Sequence, residues 1–138
     1  MSKMLQFTDI AVGQAASFET LIAEEAVASF AKLSGDENPL HVDESYAVTT
    51  QFGKRVVHGM YLGALVSRLV GMELPGTKAL LVRESLTFKG PAFINDTIEV
   101  RGEVTRKSEA LQLVTLSITI TRQGEVLAEG EVLATVLP

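Results

Sequence analysis

Apolar residues along the chain change their spacing near its middle. From residue 23 to residue 72 they recur three and four apart, and beyond residue 78 they alternate with polar ones. The first spacing buries one side of a helix and the second buries one face of a strand. A short strand candidate at 15–21 precedes the helical stretch. A helix is predicted over 23–34, with Ala26, Val27, Phe30, Ala31 and Leu33 on one face. Glu24 and Glu25 fall in its first turn, where negative charge suits the helix dipole, and Gly35 is its stop signal. Asn38-Pro39 is turn chemistry and biases Asn38 away from helix. A second short helix is expected over 43–51 with Asp43 as its N-cap.

The third helix, 58–73, differs from the others. Met60, Leu62, Ala64, Leu65, Val66, Leu69, Val70 and Met72 cover nearly its whole circumference. A helix apolar all round is buried. Gly59, Gly63 and Ala64 would let it approach a sheet closely, and Pro75-Gly76 ends it. The remainder predicts long strands at 78–89, 97–107, 111–122 and 126–137. The clearest alternation sets Gln112, Val114, Leu116, Ile118, Ile120 and Arg122 on one face of the third of these strands. Gln123-Gly124 is a hairpin turn candidate. About five antiparallel strands and one buried helix define an α+β layer architecture in one domain, 1–138. The sheet must curl around the helix, because a flat sheet would leave much of that apolar circumference wet.

Charge and composition narrow the partners. The net charge is -5 and no basic stripe is visible, so nucleic acid is not an expected partner. The chain has no cysteine, which removes disulfides, thiolate metal sites and cysteine nucleophiles together. Residues 1–10 lack a basic-then-apolar signal pattern. The apolar run 60–72 is broken by Ser67 and Arg68 and is shorter than the roughly 20 residues that span a bilayer. No membrane association and a cytoplasmic location are expected.

The chemistry concentrates in Ser34-Gly35-Asp36-Glu37-Asn38-Pro39-Leu40-His41 and in Val57-His58-Gly59-Met60. The first run sets a carboxylate and an imidazole five positions apart on a turn. The second opens the apolar helix with a histidine and a glycine. Together they supply two proton-moving groups and a free backbone N–H at a helix start. Those parts suffice to add water across a double bond beside a carbonyl, or to remove it. Asn38 is read as a turn former whose amide also fixes the loop carrying Asp36. His58 is read as ordering the start of the helix. Arg68, in an apolar helix, is expected to pair with Glu84 or Glu73. Lys54, Arg55 and Lys89 are read as solvated surface charges, with phosphate contact as the alternative.

The run from Phe30 to Asp43, with Ala47, Phe52 and Val56-Val57-His58-Gly59-Met60, resembles the signature of the MaoC-like (R)-specific enoyl-CoA hydratases. The resemblance continues through Leu74-Pro75-Gly76 and Ser85-Leu86-Thr87-Phe88-Lys89-Gly90-Pro91 to the end of the chain. It implies a hot-dog fold, a homodimer and an acyl-CoA thioester substrate. It implies Asp36 and His41 as the catalytic pair and the Gly59 backbone N–H as the donor to the thioester oxygen. Ser67 occupies the position of a helix serine that assists the aspartate in some members. No metal, flavin or nicotinamide is implied, coenzyme A being part of the substrate, and an acyl-carrier-protein thioester is a variant of the same chemistry. Two alternatives stay open. A hot-dog thioesterase commonly carries a carboxylate on the central helix, and none occurs from His58 to Met72. A non-catalytic acyl-thioester-binding subunit could dispense with the acid–base pair. Met60, Leu65, Leu69 and Met72 are candidate walls for the acyl chain.

Overall fold

The computed structural model describes residues 1–138. After a short 3-10 turn at Phe7–Asp9, the elements run β1 (Ala15–Leu21), α1 (Glu24–Ser34), α2 (Pro39–Val42), α3 (Glu44–Ala47), α4 (Gly59–Met72), β2 (Ala79–Phe88), β3 (Thr97–Ser108), β4 (Leu113–Arg122) and β5 (Glu125–Val136). One antiparallel sheet takes the order β1-β3-β4-β5-β2. Strands β3, β4 and β5 form a meander, which leaves β1 and β2 as the two edges. The β4–β5 turn follows from its residues. Gln123 and Gly124 adopt φ of 49° and 81°, the left-handed pair that matches the twist of a tight hairpin.

The alternation in β4 sorts its side chains as its spacing demands. Val114, Leu116, Ile118 and Ile120 are buried against Leu62, Val66, Leu69 and Val70 of α4, in one core of 24 residues. Burying each such side chain stabilises the fold by about 1.5–3 kcal/mol. The helix settles close to the sheet because β3 carries a glycine beneath it. A Cβ on Gly102 would come within 2.7 Å of Leu69.

Several expectations are corrected. The central helix is not enclosed. Leu62, Gly63, Leu65, Val66, Leu69 and Val70 are buried, but Met60 is 64% exposed, and Ala64, Ser67, Arg68, Gly71 and Met72 are also exposed. Five strands of one chain curl around only part of the circumference, and the open side borders the edge strand β2. Gly59 and Gly63 do permit close approach, both toward β2, whereas Ala64 faces outward.

The expected helix over 43–51 is a single turn, Glu44–Ala47, capped as foreseen by Asp43, whose Oδ1 accepts from the Tyr46 N–H at 3.2 Å. A further one-turn helix, α2, stands where a plain turn was expected. Pro39 opens it, and Asn38 caps it by accepting the Leu40 N–H at 2.9 Å.

Arg68 pairs with neither glutamate. Its guanidinium lies 4.0 Å from the Phe18 ring centroid, while Glu73 takes Lys3 at 2.8 Å. The aromatic face of β1 takes the cation instead. Arg55 is also more engaged than a solvated charge, bridging Glu24 of α1 and Glu44 of α3.

Candidate active site

The site begins where α1 stops. Gly35 takes φ 81°, a conformation that favours glycine, and its N–H caps Ala31 O at 2.9 Å. Around it, the side-chain oxygens of Ser34, Asp36 and Asn38 each bond the main chain two residues on. Ser34 Oγ accepts from the Asp36 N–H at 3.1 Å, Asp36 Oδ1 from the Asn38 N–H at 3.2 Å, and Asn38 Oδ1 from the Leu40 N–H. These links carry the chain rigidly from α1 to α2, and they place His41 on α2 beside the segment entering α4.

The two histidines have opposite tautomers. His41 Nδ1 lies 2.6 Å from the Val56 carbonyl oxygen. A carbonyl only accepts, so Nδ1 holds the proton and Nε2 keeps its lone pair. His58 Nε2 lies 2.9 Å from the Asp36 carbonyl oxygen and holds its proton there by the same reasoning. His58 Nδ1 is buried without a hydrogen-bond partner. The two rings stack, with centroids 4.0 Å apart and planes at 29°. Each of Asp36, His41 and His58 offers a ligand-type atom, all within 4.8 Å of one another. Stacked rings aim their in-plane lone pairs side by side, not at a common point. The arrangement suits proton transfer better than chelation.

Gly59 is the first residue of α4, so its N–H has no partner within the helix and lies at the positive end of the helix dipole. His41 and Gly59 both line one cavity of about 350 Å³, walled otherwise mostly by apolar residues including Phe52, Val56, Leu62 and Phe88. A carbonyl group seated there can meet the Gly59 N–H while its neighbouring carbon faces the imidazole.

The remaining sequence candidates fall elsewhere. Asp36 is exposed and stands beside His41, outside the cavity lining. Asn38 is exposed and serves as the cap of α2. Ser67 is exposed on the open side of α4, eight residues or about 12 Å of helix rise beyond Gly59. Among the candidate acyl walls, Leu65 and Leu69 belong to the core and Met60 and Met72 to the open face; none lines this cavity. Leu62 lines it instead, with Phe52 and Phe88 on either side of the histidine motif in sequence. Nothing in their spacing marks them as neighbours, because they meet only through the fold. His58 reaches further into the site than its reading as a helix-start residue implied.

A curled antiparallel sheet around one helix, with acid–base groups at the helix N-terminus, is a hot-dog enzyme scaffold. The chain belongs to the MaoC-like dehydratase family: the family model described as "MaoC like domain" matches residues 8–124. It is 44% identical over 125 residues to an (R)-specific enoyl-CoA hydratase of Rhodospirillum rubrum, covering 91% of this chain and 87% of that one. It is 35% identical over 134 residues to a 3-hydroxybutyryl-CoA dehydratase of Methylorubrum extorquens, covering 97% and 85%. The solved structure of an (R)-hydratase from A. caviae involved in PHA biosynthesis superposes with a TM-score of 0.89. There the identity is 40%, over 94% of this chain and 98% of that one. No helix of the protein is long and apolar enough to cross a membrane.

Proposed function

We propose that this chain is an (R)-specific enoyl-CoA hydratase that reversibly adds water to a trans-2-enoyl thioester. The observation that carries the reading is the 2.6 Å contact of His41 Nδ1 with the Val56 carbonyl oxygen. With Nδ1–H held by the Val56 carbonyl, Nε2 is left with a lone pair, Asp36 stands beside the ring, and His41 lines the cavity that Gly59 shares. Asp36 and His41 grip one water. Its oxygen bonds to C3 of the enoyl group, a proton passes to the pair, and a proton is returned to C2, so none is consumed overall. Charge driven onto the thioester oxygen meets the Gly59 N–H and the helix dipole. Asn38 supports Asp36 through the loop, and Ser67, on the exposed side of α4, takes the part of the helix serine that assists the aspartate in some members of the family. The reaction needs no metal or redox cofactor, and coenzyme A enters only as part of the substrate.

The same reading includes a second copy of the chain. Strand β2 is an edge whose Leu80 and Val82 are 55% and 56% exposed, and it borders the open face of α4 with Met60 and Met72. Two chains joined along β2 satisfy that edge and cover those side chains around a two-fold axis. A cytoplasmic homodimer of one MaoC-like domain per chain, 1–138, is the form proposed.

The test is hydration of crotonyl-CoA, followed as loss of enoyl-thioester absorbance with chiral analysis of the product. Wild type should yield the (R)-3-hydroxyacyl-CoA without releasing thiol. Asp36→Ala and His41→Ala should each fall by about 10²–10⁴-fold while remaining folded. Thiol release would replace this reading with a thioesterase. A folded wild type inert toward short and long enoyl-CoA thioesters would replace it with a binding subunit.

A further inference from the structure

We propose that His58 is a positioning residue that holds all three working parts of the site in register, an inference that rests on the hydratase reading. Its side chain is 2% exposed, the most deeply buried polar group beside the cavity. Three separate links leave this one residue. Its Nε2–H donates to the Asp36 carbonyl at 2.9 Å and tethers the loop that carries the carboxylate. Its ring face stacks on His41 at 4.0 Å. Its own peptide unit joins it to Gly59, whose N–H opens α4. Phe30 of α1 also packs on the ring in a T-shaped contact, with centroids 4.9 Å apart. Asp36, His41 and Gly59 sit on three different segments, and His58 touches the first two and adjoins the third in the chain. A buried group with rigid neighbours on every side is the natural reference point for such a constellation.

The ring does a second thing for His41. A proton gained at Nε2 makes His41 an imidazolium during turnover, and the stacked face of a neutral imidazole is a better neighbour for that cation than an apolar wall. His58 touches neither substrate nor reacting atoms; it acts through His41 and Asp36.

Two variants separate the links. His58→Gln keeps an amide donor toward the Asp36 carbonyl but removes the ring face. His58→Phe keeps the ring face but removes the donor. Both should fold, and both should lower kcat by about 10- to 100-fold with KM changed less than about three-fold, since misplacement near 1 Å costs about that much. In a His41→Ala background the loss from His58→Gln should nearly vanish, because the stack has no partner left. The chain has only two histidines, so ring nitrogen NMR gives an activity-independent readout. His41 should show a pure Nδ1–H tautomer in wild type and in His58→Phe, and a mixture in His58→Gln. An unchanged His41 signature in His58→Gln overturns the proposal. So does a kcat within two-fold of wild type in both variants, or an equal loss in the His41→Ala background. If wild type hydrates no enoyl thioester, the hydratase reading falls, and the NMR comparison still decides the positioning role.

Discussion

The tip of the Phe88 ring meets the backbone of Gly59, so close that a Cβ there would stand 2.9 Å from its Cζ. One residue ends β2 and the other begins α4, and their contact forms one corner of the cavity beside His41. Glycine at this position does not serve a left-handed turn. It makes room for an aromatic wall directly over a helix N-terminus. Gly59→Ala should leave stability within about 0.5 kcal/mol, because Phe88 is 47% exposed and can swing aside. Turnover should still fall by at least about ten-fold, as the methyl group and the displaced ring crowd the N–H. Phe88→Ala should recover part of that loss, and the double variant should lie above the product of the two single effects. Steady-state kinetics of the four proteins check this; strictly multiplicative effects would sever the two residues.

Arg122 fastens the far wall of the same cavity. Its guanidinium pairs with Asp96 at 2.5 Å and with Glu125 at 3.1 Å and donates to the Pro91 carbonyl at 3.2 Å. Asp96 in turn accepts the Phe93 N–H at 2.8 Å. The β2–β3 connection, which supplies Gly90, Pro91 and Ala92 to the cavity, is thereby pinned to β4. Arg122→Met keeps the aliphatic stem but strands a carboxylate that is only 17% exposed. It should cost about 2 kcal/mol in chemical denaturation. KM for an enoyl-CoA should rise more than kcat falls, since the wall loosens while His41 and Gly59 stay in place. A loss confined to kcat would contradict this division.

The strands were legible because a half-buried antiparallel strand writes its burial into every second residue. Leu116, Ile118 and Ile120 announce β4 without help from any neighbour. The helix α4 was legible as a helix, yet its surroundings were not. An apolar circumference reports what will eventually be covered, not which chain covers it, so Met60 and Met72 read as core and stand on an open face. Arg68 misled for a related reason: charge complementarity nominates carboxylates, and the Phe18 ring on a strand 50 residues earlier carries no charge to nominate it. At the site, Asp36 and His41 share one short motif, and Gly59 lies at a helix start whose free N–H is a property of any such start. His58 escaped because its contribution is a set of contacts to three segments. Neither spacing nor residue type encodes those contacts.

Glu84 gives the fold a pH dependence of unusual sign. It projects from β2 toward Gly63 of α4, half-buried and without a salt-bridge partner. Loss of water lifts its carboxyl above the ordinary value of 4.5. The folded protein therefore keeps this proton to a higher pH than the unfolded chain does, and its contribution to stability is lost as pH rises through that raised value. Glu84→Gln should raise Tm at pH 7.5 and lose that advantage toward pH 3, well below the ordinary value of 4.5, where both states are protonated. Thermal melts of the two proteins at both pH values check it. A lower Tm for the variant at pH 7.5 would mean that a cation from a second subunit reaches the carboxylate.

The open edge of β2 makes the last prediction. Val82 sits at the bulge between Leu81 and Arg83, 56% exposed, on the strand that has only β5 as a partner. If a second copy pairs there, a two-fold axis brings each substitution in twice. A lysine at Val82 must then place two ammonium groups in one apolar seam. With a cost of about 1–1.5 kcal/mol per copy, Val82→Lys should weaken self-association by roughly a hundred-fold. Sedimentation at micromolar concentration should find wild type dimeric and the variant partly monomeric. The variant's hydratase activity should fall along with its dimer fraction and recover at high protein concentration, because the open face of α4, with Ser67 on it, gains its second wall only from the partner. A wild type that sediments as a fully active monomer would refute the pairing. An unperturbed dimer in Val82→Lys would move the interface away from β2, to the opposite edge of the sheet at β1.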